Sequence, residues 1–340
     1  MTKLLQFLFP WPHRFELPKK HFKVWPFYST VSRLDYKPDA FDNALCCQTM
    51  KELLSYPDHK KTFEEVCLDR AEELKLLDGT IYVMWSGGID STSILTAIFR
   101  TFSRADLDRV IVLCDDRSIK ENANYFKLII KNKVKVQLST AELEPLLKKG
   151  WIITGELGDQ IFGHDMVMFA VYKSGDSAMH ENWEKHVPDV FESMVPGGAK
   201  YIYEVVSPII NEAPFKIKTV HEFGWWYNIS QKWQHVKLRF LTSSKWEDPK
   251  NNYAKLIHFY DSVDFQLWSI YGNEEKVGKK FKTYKNVSKE FSITWSKDFD
   301  FINKEKETSA IHLYLGHEMN WAIDENWNFL SKEEALKRIL

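Results

Sequence analysis

With 340 residues, 44% hydrophobic and 15% aromatic, the chain can bury a sizeable core and is neither a disordered nor a fibrous protein. Lys and Arg total 46 against 47 Asp and Glu, a balance that excludes a strong overall field toward nucleic acid or an anionic membrane. Cys46, Cys47, Cys67 and Cys114 lack C-x-x-C spacing and are too few for a disulfide scaffold, so a reducing cytoplasm is the expected setting.

The opening LLQFLFPWP holds two prolines and runs into HRFELPKK rather than a small-residue cleavage site, which marks it as structural. No stretch approaches the ~20 apolar residues of a membrane-spanning helix, so a soluble protein is expected. Residues 1–58 are rich in aromatics and prolines, with a β-prone run at FKVWPFYSTV, and read as an appendage to a main domain over 59–340. Thr62 and Glu65 form a T-x-x-E capping box, and Phe63, Val66, Cys67, Ala71 and Leu74 recur at helical spacing up to Asp78-Gly79. Alternation follows: TIYVMW as strand, STSILTAIFRTF as helix, RVIVLC as strand, ENANYFKLIIKN as helix, KVKVQLS as strand, AELEPLLKK as helix and WIIT as strand. Short apolar strands alternating with helices imply βαβ units, hence an α/β fold with a doubly wound, mostly parallel sheet. Beyond about residue 165 the chain reads as largely helical, with loops at VPGGAK and WEDPKNN and a last helix behind a Ser331–Glu334 capping box.

Between the first strand and its helix stands SGGIDST, residues 86–92. In an open parallel sheet, ligands sit beyond the carboxyl ends of the strands, where this loop falls. Gly87 and Gly88 permit unusual backbone angles and close approach, so that successive amides can converge on an anion at the helix N-terminus. The hydroxyls of Ser86, Ser91 and Thr92 add donors, and Asp90 among phosphates makes sense with a divalent cation between them. The loop lacks both the G-K-[ST] ending of the Walker loop and the G-x-G-x-x-G of dinucleotide binders. A glycine turn that only caps a helix is the plainer alternative. A second polar turn, TGELGDQIFG at 154–163, follows the fourth strand and lies at the same sheet edge. By itself it could be an ordinary turn into a helix, but beside a phosphate cradle its carboxylates could serve as metal ligand and base.

The S-G-G-x-D-S pattern resembles the pyrophosphate loop (PP-loop) of the ATP-pyrophosphatase superfamily, and TGELGDQIFG is similar to the S-G-E-G-A-D-E-x-F-G motif of the asparagine synthetase synthetase domain. Thr154, Leu157, Gly158 and Gln160 depart from that motif, while Gly155, Glu156, Asp159, Phe162 and Gly163 keep it. HFYDSVDFQLW, at 258–268, is similar to the family's R-x-P-F-x-D segment, and Lys285 and Lys289 take the first and last positions of its K-x-x-L-R motif, with Ser288 in place of leucine. The resemblance covers residues 61–295 and is faint between 170 and 255. It implies ATP and Mg2+ as cofactors, Asp90 and Asp159 as magnesium ligands, Glu156 as base toward an attacking amine, and Lys285 as the cation facing the leaving pyrophosphate. Gly155 would adjoin the nucleotide, and Val112, with Met84, would take the family's adenine-contacting positions. Part of the acyl pocket would come from FGWWYNISQKWQHVKLRF. The implied activity is an AMP-forming amide ligase joining a small-molecule carboxylate to ammonia or an amine. About 80 residues precede the loop, too few for the family's glutaminase domain, so a separate nitrogen-donor subunit is one expected source of nitrogen. Nucleic acid is not an expected partner, although tRNA-modifying enzymes use the same loop, and an ATP-binding module without turnover is the non-enzymatic alternative.

Overall fold

The computed structural model of the chain describes residues 50–56, 59–139, 142–194, 198–233, 236–237, 247–272, 276, 285–299, 322–323 and 329–330. Most of the N-terminal appendage, the run FKVWPFYSTV, residues 195–197 of VPGGAK and the Ser331–Glu334 capping box lie outside the described residues.

In chain order, helix α1 (Phe63–Lys75) leads to strand β1 (Thr80–Met84), helix α2 (Ile89–Thr101), strand β2 (Val110–Cys114) and the short helix α3 (Asp116–Glu121). Strand β3 (Lys135–Leu138) and strand β4 (Gly150–Thr154) precede helices α4 (Gly158–Phe162), α5 (His164–Ser174), α6 (Trp183–Met194) and α7 (Val220–Tyr227). Strand β5 (Leu256–His258) and helices α8 (Val263–Tyr271) and α9 (Asn286–Ser296) follow, and β6 (Ala322–Ile323) pairs antiparallel with β7 (Phe329–Leu330).

Strands β1 to β5 form one all-parallel sheet in the order β3-β2-β1-β4-β5. The chain leaves β1 toward β2 and β3 on one side, then returns to pair β4 on the other, so the order reverses between β1 and β4. Such a reversal opens a crevice at the carboxyl edge of the sheet. Consecutive residues Ile81, Tyr82 and Val83 are all buried, which requires cover on both faces of β1. The chain is thus an α/β protein whose first four strands fall where short apolar runs placed them. β5 was not anticipated, because LIH is too short to carry a periodic signal.

Helix α1 starts as expected: the Thr62 hydroxyl accepts the Glu65 amide while Glu65 accepts the Thr62 amide. Phe63, Val66, Cys67, Ala71 and Leu74 form its buried face. Burial of each large member contributes roughly 1.5–3 kcal/mol. The expected helix over ENANYFKLIIKN is broken into short pieces around a π-helical turn at Phe126–Ile130, where Trp85 stacks on Tyr125 and Phe126. The expected loop at WEDPKNN is a helix start instead: Asp248 caps Pro249–Ala254, with proline at the first turn, where its missing N–H costs nothing.

The chain divides into two compact units. Tyr56–Gly158 with Trp246–Lys306 form the sheet unit, which therefore has a discontinuous sequence. Asp159–Lys245 supply most of the described part of the other. That unit is helical and aromatic: Trp183 stacks on Phe223 at 5.0 Å, and Phe215 on Trp225 at 5.4 Å. Gly163, at φ 73°, lets its backbone meet Trp225, since a Cβ there would lie 2.4 Å from the Trp225 Cα. In the stretch read as part of an acyl pocket, Trp225, Trp226, Tyr227 and Trp233 are buried in this unit's core. No described helix is long and apolar enough to cross a membrane.

Candidate functional site

Between β1 and α2 the loop is tied to itself. The Ser86 amide donates to Ser91 Oγ at 3.1 Å, the Gly88 amide to Ser86 Oγ at 3.3 Å, and Ser91 Oγ to the Gly88 carbonyl at 3.2 Å. Gly87 adopts φ 78°, and a Cβ there would stand 2.3 Å from the Ser118 carbonyl oxygen, so position 87 needs glycine for conformation and for space alike. Ser118 is itself held by Asp115, which accepts its amide at 2.8 Å and its hydroxyl at 2.7 Å. These bonds, backbone first, hold the Asp115 carboxyl below the usual carboxylate range. Gly88 is the N-cap of α2 and supplies no capping side chain. The first intrahelical bond of the loop runs from the Thr92 amide to the Gly88 carbonyl, so amides of the first turn present partial positive charge at this end of the helix.

Thr92 is wholly buried, and its hydroxyl accepts the Trp85 indole N–H at 3.2 Å, bracing the loop from beneath rather than facing outward. Val112 is wholly buried in mid-strand, paired with Val83 and Val136. Met84, opposite Leu113, is half-buried at the end of β1. The Trp85 amide donates to the Leu113 carbonyl at 2.9 Å, extending that pairing by one residue.

Asp90 stands in the first turn of α2, and its side chain keeps 17% of its exposure. Lys285 Nζ donates to both of its oxygens, at 2.6 and 2.8 Å, while the Tyr260 hydroxyl donates to its carbonyl at 2.9 Å. The Lys285 side chain is wholly buried on a left-handed backbone, φ 59°, immediately before α9. Gly158 presses on the same carboxylate from the β4 side: a Cβ would lie 2.6 Å from Asp90 Cγ. Gly155 passes close to the Ser91 amide, with its Cβ position 3.4 Å away. The loop, the turn after β4 and the start of α9 therefore meet around Asp90.

Glu156 is half-buried, and its amide donates to Thr154 Oγ1 at 3.3 Å. Thr154 Oγ1 also lies 2.7 Å from His258 Nδ1, at the end of β5. Leu157 is buried with φ 72°. The position where the resembled motif has glycine is thus left-handed, and leucine occupies it at a conformational cost. Asp159 follows Gly158 on α4, half-buried, as the first residue of the helical unit. Among the described residues no group of three or more His, Cys, Asp or Glu side chains could hold a metal, so a cation at Asp90 would need phosphate or water oxygens to complete its shell.

No known protein family matches the chain, and no characterised protein matches it in sequence.

Ser288, which departs from the K-x-x-L-R pattern, finds its reason in Ser93. Their hydroxyls are 2.7 Å apart in a fully buried cluster that includes Ser292 at 3.2 Å from Ser93. Leucine would have no room and no polar function there; serine fastens α9 to α2 and so sets Lys285 over Asp90. Sequence reasoning missed Ser93, Tyr260, His258 and Trp85. Spacing offered one signal, since Ser288 and Ser292 are four apart on one helix face.

Proposed function

We propose that the chain is an ATP-dependent ligase that activates a carboxylate as its adenylate and passes the acyl group to ammonia or an amine, releasing AMP and pyrophosphate. The observation that carries this reading is the carboxylate of Asp90, set at an N-terminus with no capping side chain and gripped by a buried lysine from a segment 195 residues away. An anionic chain of phosphates fits there: amides and the Ser86 and Ser91 hydroxyls around Gly87 and Gly88 receive it, and Gly155 leaves the Ser91 amide uncrowded. The carboxylate would be out of place beside phosphates without a cation, and Asp90 is the group of the sheet unit that would hold magnesium, which when bound neutralises phosphate charge.

The substrate carboxylate attacks the α phosphorus, and the bond to the bridging oxygen breaks toward pyrophosphate. Lys285 is the cation that would face that developing charge. The amine nitrogen then attacks the acyl carbon, the bond to AMP breaks, and Glu156 takes the nitrogen's proton. Thr154, anchored by His258, holds the Glu156 backbone in place. Thr92 acts in this reading as support for the loop, through its contact with Trp85.

Pyrophosphate release across a panel of carboxylates and amines tests the proposal. A carboxylate-dependent burst of AMP and pyrophosphate supports it, whereas nucleotide binding with no release under any pairing rejects it in favour of a binding module. Salt-sensitive tRNA binding at low micromolar concentration would point to RNA modification instead. With an active pair found, Glu156→Gln is expected to keep pyrophosphate exchange and to lose amide formation.

A further inference from the structure

Strand β3 ends the parallel sheet, and among the described residues no strand pairs with its outer edge. The Ser139 amide donates to the Cys114 carbonyl at 2.9 Å, on the β2 side. Backbone groups of successive strand residues point to opposite sides, so Lys135 and Gln137 also address β2, while Val136 and Leu138 each turn an amide and a carbonyl outward. The side chains of Val136 and Leu138 share one face of the strand and are 41% and 72% exposed. Charge is as one-sided as the backbone. From Asn122 to Ser139 the chain holds four lysines, Lys127, Lys131, Lys133 and Lys135, and no acid. None of the four forms an ion pair among the described residues. Lys133 lies over the Trp295 ring at 5.2 Å, and the other three are exposed. Arg104, whose guanidinium donates to the Lys133 carbonyl, adds a further cation and has Asp108 as its own partner.

We infer that β3 is a docking edge for an extended, acidic segment of another protein, which joins the five-stranded sheet as a further strand. Its backbone bonds the outward groups of Val136 and Leu138, its apolar side chains cover those two residues, and its carboxylates, alternating with them, meet Lys135 on the opposite face. Charge decides the occupant. Paired strands stand about 4.7–4.9 Å apart, well inside the ~8 Å over which physiological salt screens charge. A second copy of the chain would set this lysine cluster against itself, so the same lysines that guard the edge from self-pairing select a partner of opposite sign. Nucleic acid or an anionic membrane would use the lysines but not the outward amides of Val136 and Leu138. The edge lies wholly within the sheet unit, and the inference is independent of the nucleotide and ligase readings.

Fluorescence anisotropy with the full chain tests this, the probe being a short labelled peptide that alternates glutamate and valine. Wild type is expected to bind it at micromolar concentration, more weakly as salt rises, and to bind the lysine–valine counterpart about tenfold or more weakly. Val136→Pro should weaken binding of the acidic peptide about tenfold or more, because proline removes an outward donor and leaves the bonds to β2 in place. Lys131→Glu combined with Lys135→Glu should reverse the preference between the two peptides. Two alternately N-methylated forms of the acidic peptide serve if proline unfolds the chain: methylating the amides that face β3 abolishes binding, and methylating the other set spares it. Equal affinity for the acidic and basic peptides overturns the inference, as does binding unchanged by Val136→Pro or the same for both methylated forms. Absence of peptide binding overturns it as well, whether phosphatidylserine vesicles or RNA then bind the lysines instead or the chain pairs with itself through β3.

Discussion

Replacing Gly158 by alanine adds one methyl group where the structure has none to spare. Its Cβ would stand 2.6 Å from Asp90 Cγ, 2.8 Å from Oδ1 and 2.9 Å from Cβ. Carbon atoms rest about 3.5–4.0 Å apart, so the groups must separate by about 1 Å. Rotating the carboxylate relieves only the contacts with its tip, because Asp90 Cβ is also too close, and the first turn of α2 must move with it. That motion draws Asp90 off Lys285, now 2.6 and 2.8 Å from its two oxygens. Loss of a charged hydrogen-bonded contact is worth about 1.5–3 kcal/mol, and overpacking adds about 1–3 kcal/mol. A destabilisation of about 2.5–6 kcal/mol is expected, a large share of the ~5–15 kcal/mol typical of a domain. Gly79→Ala is the control: φ is 68° there, but nothing lies within 4 Å of the added atom, so only the left-handed cost of about 1–2 kcal/mol applies. Urea unfolding of both variants, with Gly158→Ala repeated in a Lys285→Met background, separates the two costs. In that background the Gly158→Ala penalty should shrink by the part owed to the ion pair. If Gly158→Ala costs no more than Gly79→Ala, or the same in both backgrounds, the account of Asp90 is wrong.

Three further outcomes follow from the same geometry. Ser288→Ala should cost about 1 kcal/mol through loss of the Ser93 hydroxyl contact, and Ser288→Leu, the residue of the resembled motif, about 2–4 kcal/mol through overpacking; equilibrium unfolding in which leucine is the better tolerated of the two would reject the buried-cluster explanation. Leu157→Gly relieves a left-handed backbone worth about 1–2 kcal/mol but removes a buried side chain worth about 2–5 kcal/mol, so net destabilisation is expected, and a rise in midpoint would reverse that ranking. Asp115 has its folded value depressed below the ordinary 3.8 by the Ser118 amide and hydroxyl. Its contribution is therefore present above 3.8 and lost as pH falls through the lower folded value. Asp115→Asn should flatten the acid limb of stability, which a pH series of thermal midpoints reads directly.

Much of this was legible in residues 62–154, because the signals there are local. Thr62 and Glu65 cap a helix three residues apart, apolar runs alternate with helical periods, and Gly87 follows a strand, so neighbours in sequence settle the element and its ends. The sheet edge that carries Ser86, Asp90, Gly155 and Glu156 could be named from that order alone. Other features depended on residues far apart in the chain. Lys285 reaches Asp90 and Ser288 reaches Ser93 across 195 positions, contacts that no periodicity encodes. Thr92 looks like a loop residue in the sequence, yet packing turns it against Trp85. β5 pairs with β4 only because the chain returns to the sheet after Asp159–Lys245 of the other unit. Local propensity acts within a few residues, whereas the close packing that selects serine at 288 and glycine at 158 arises only when distant segments compete for the same space.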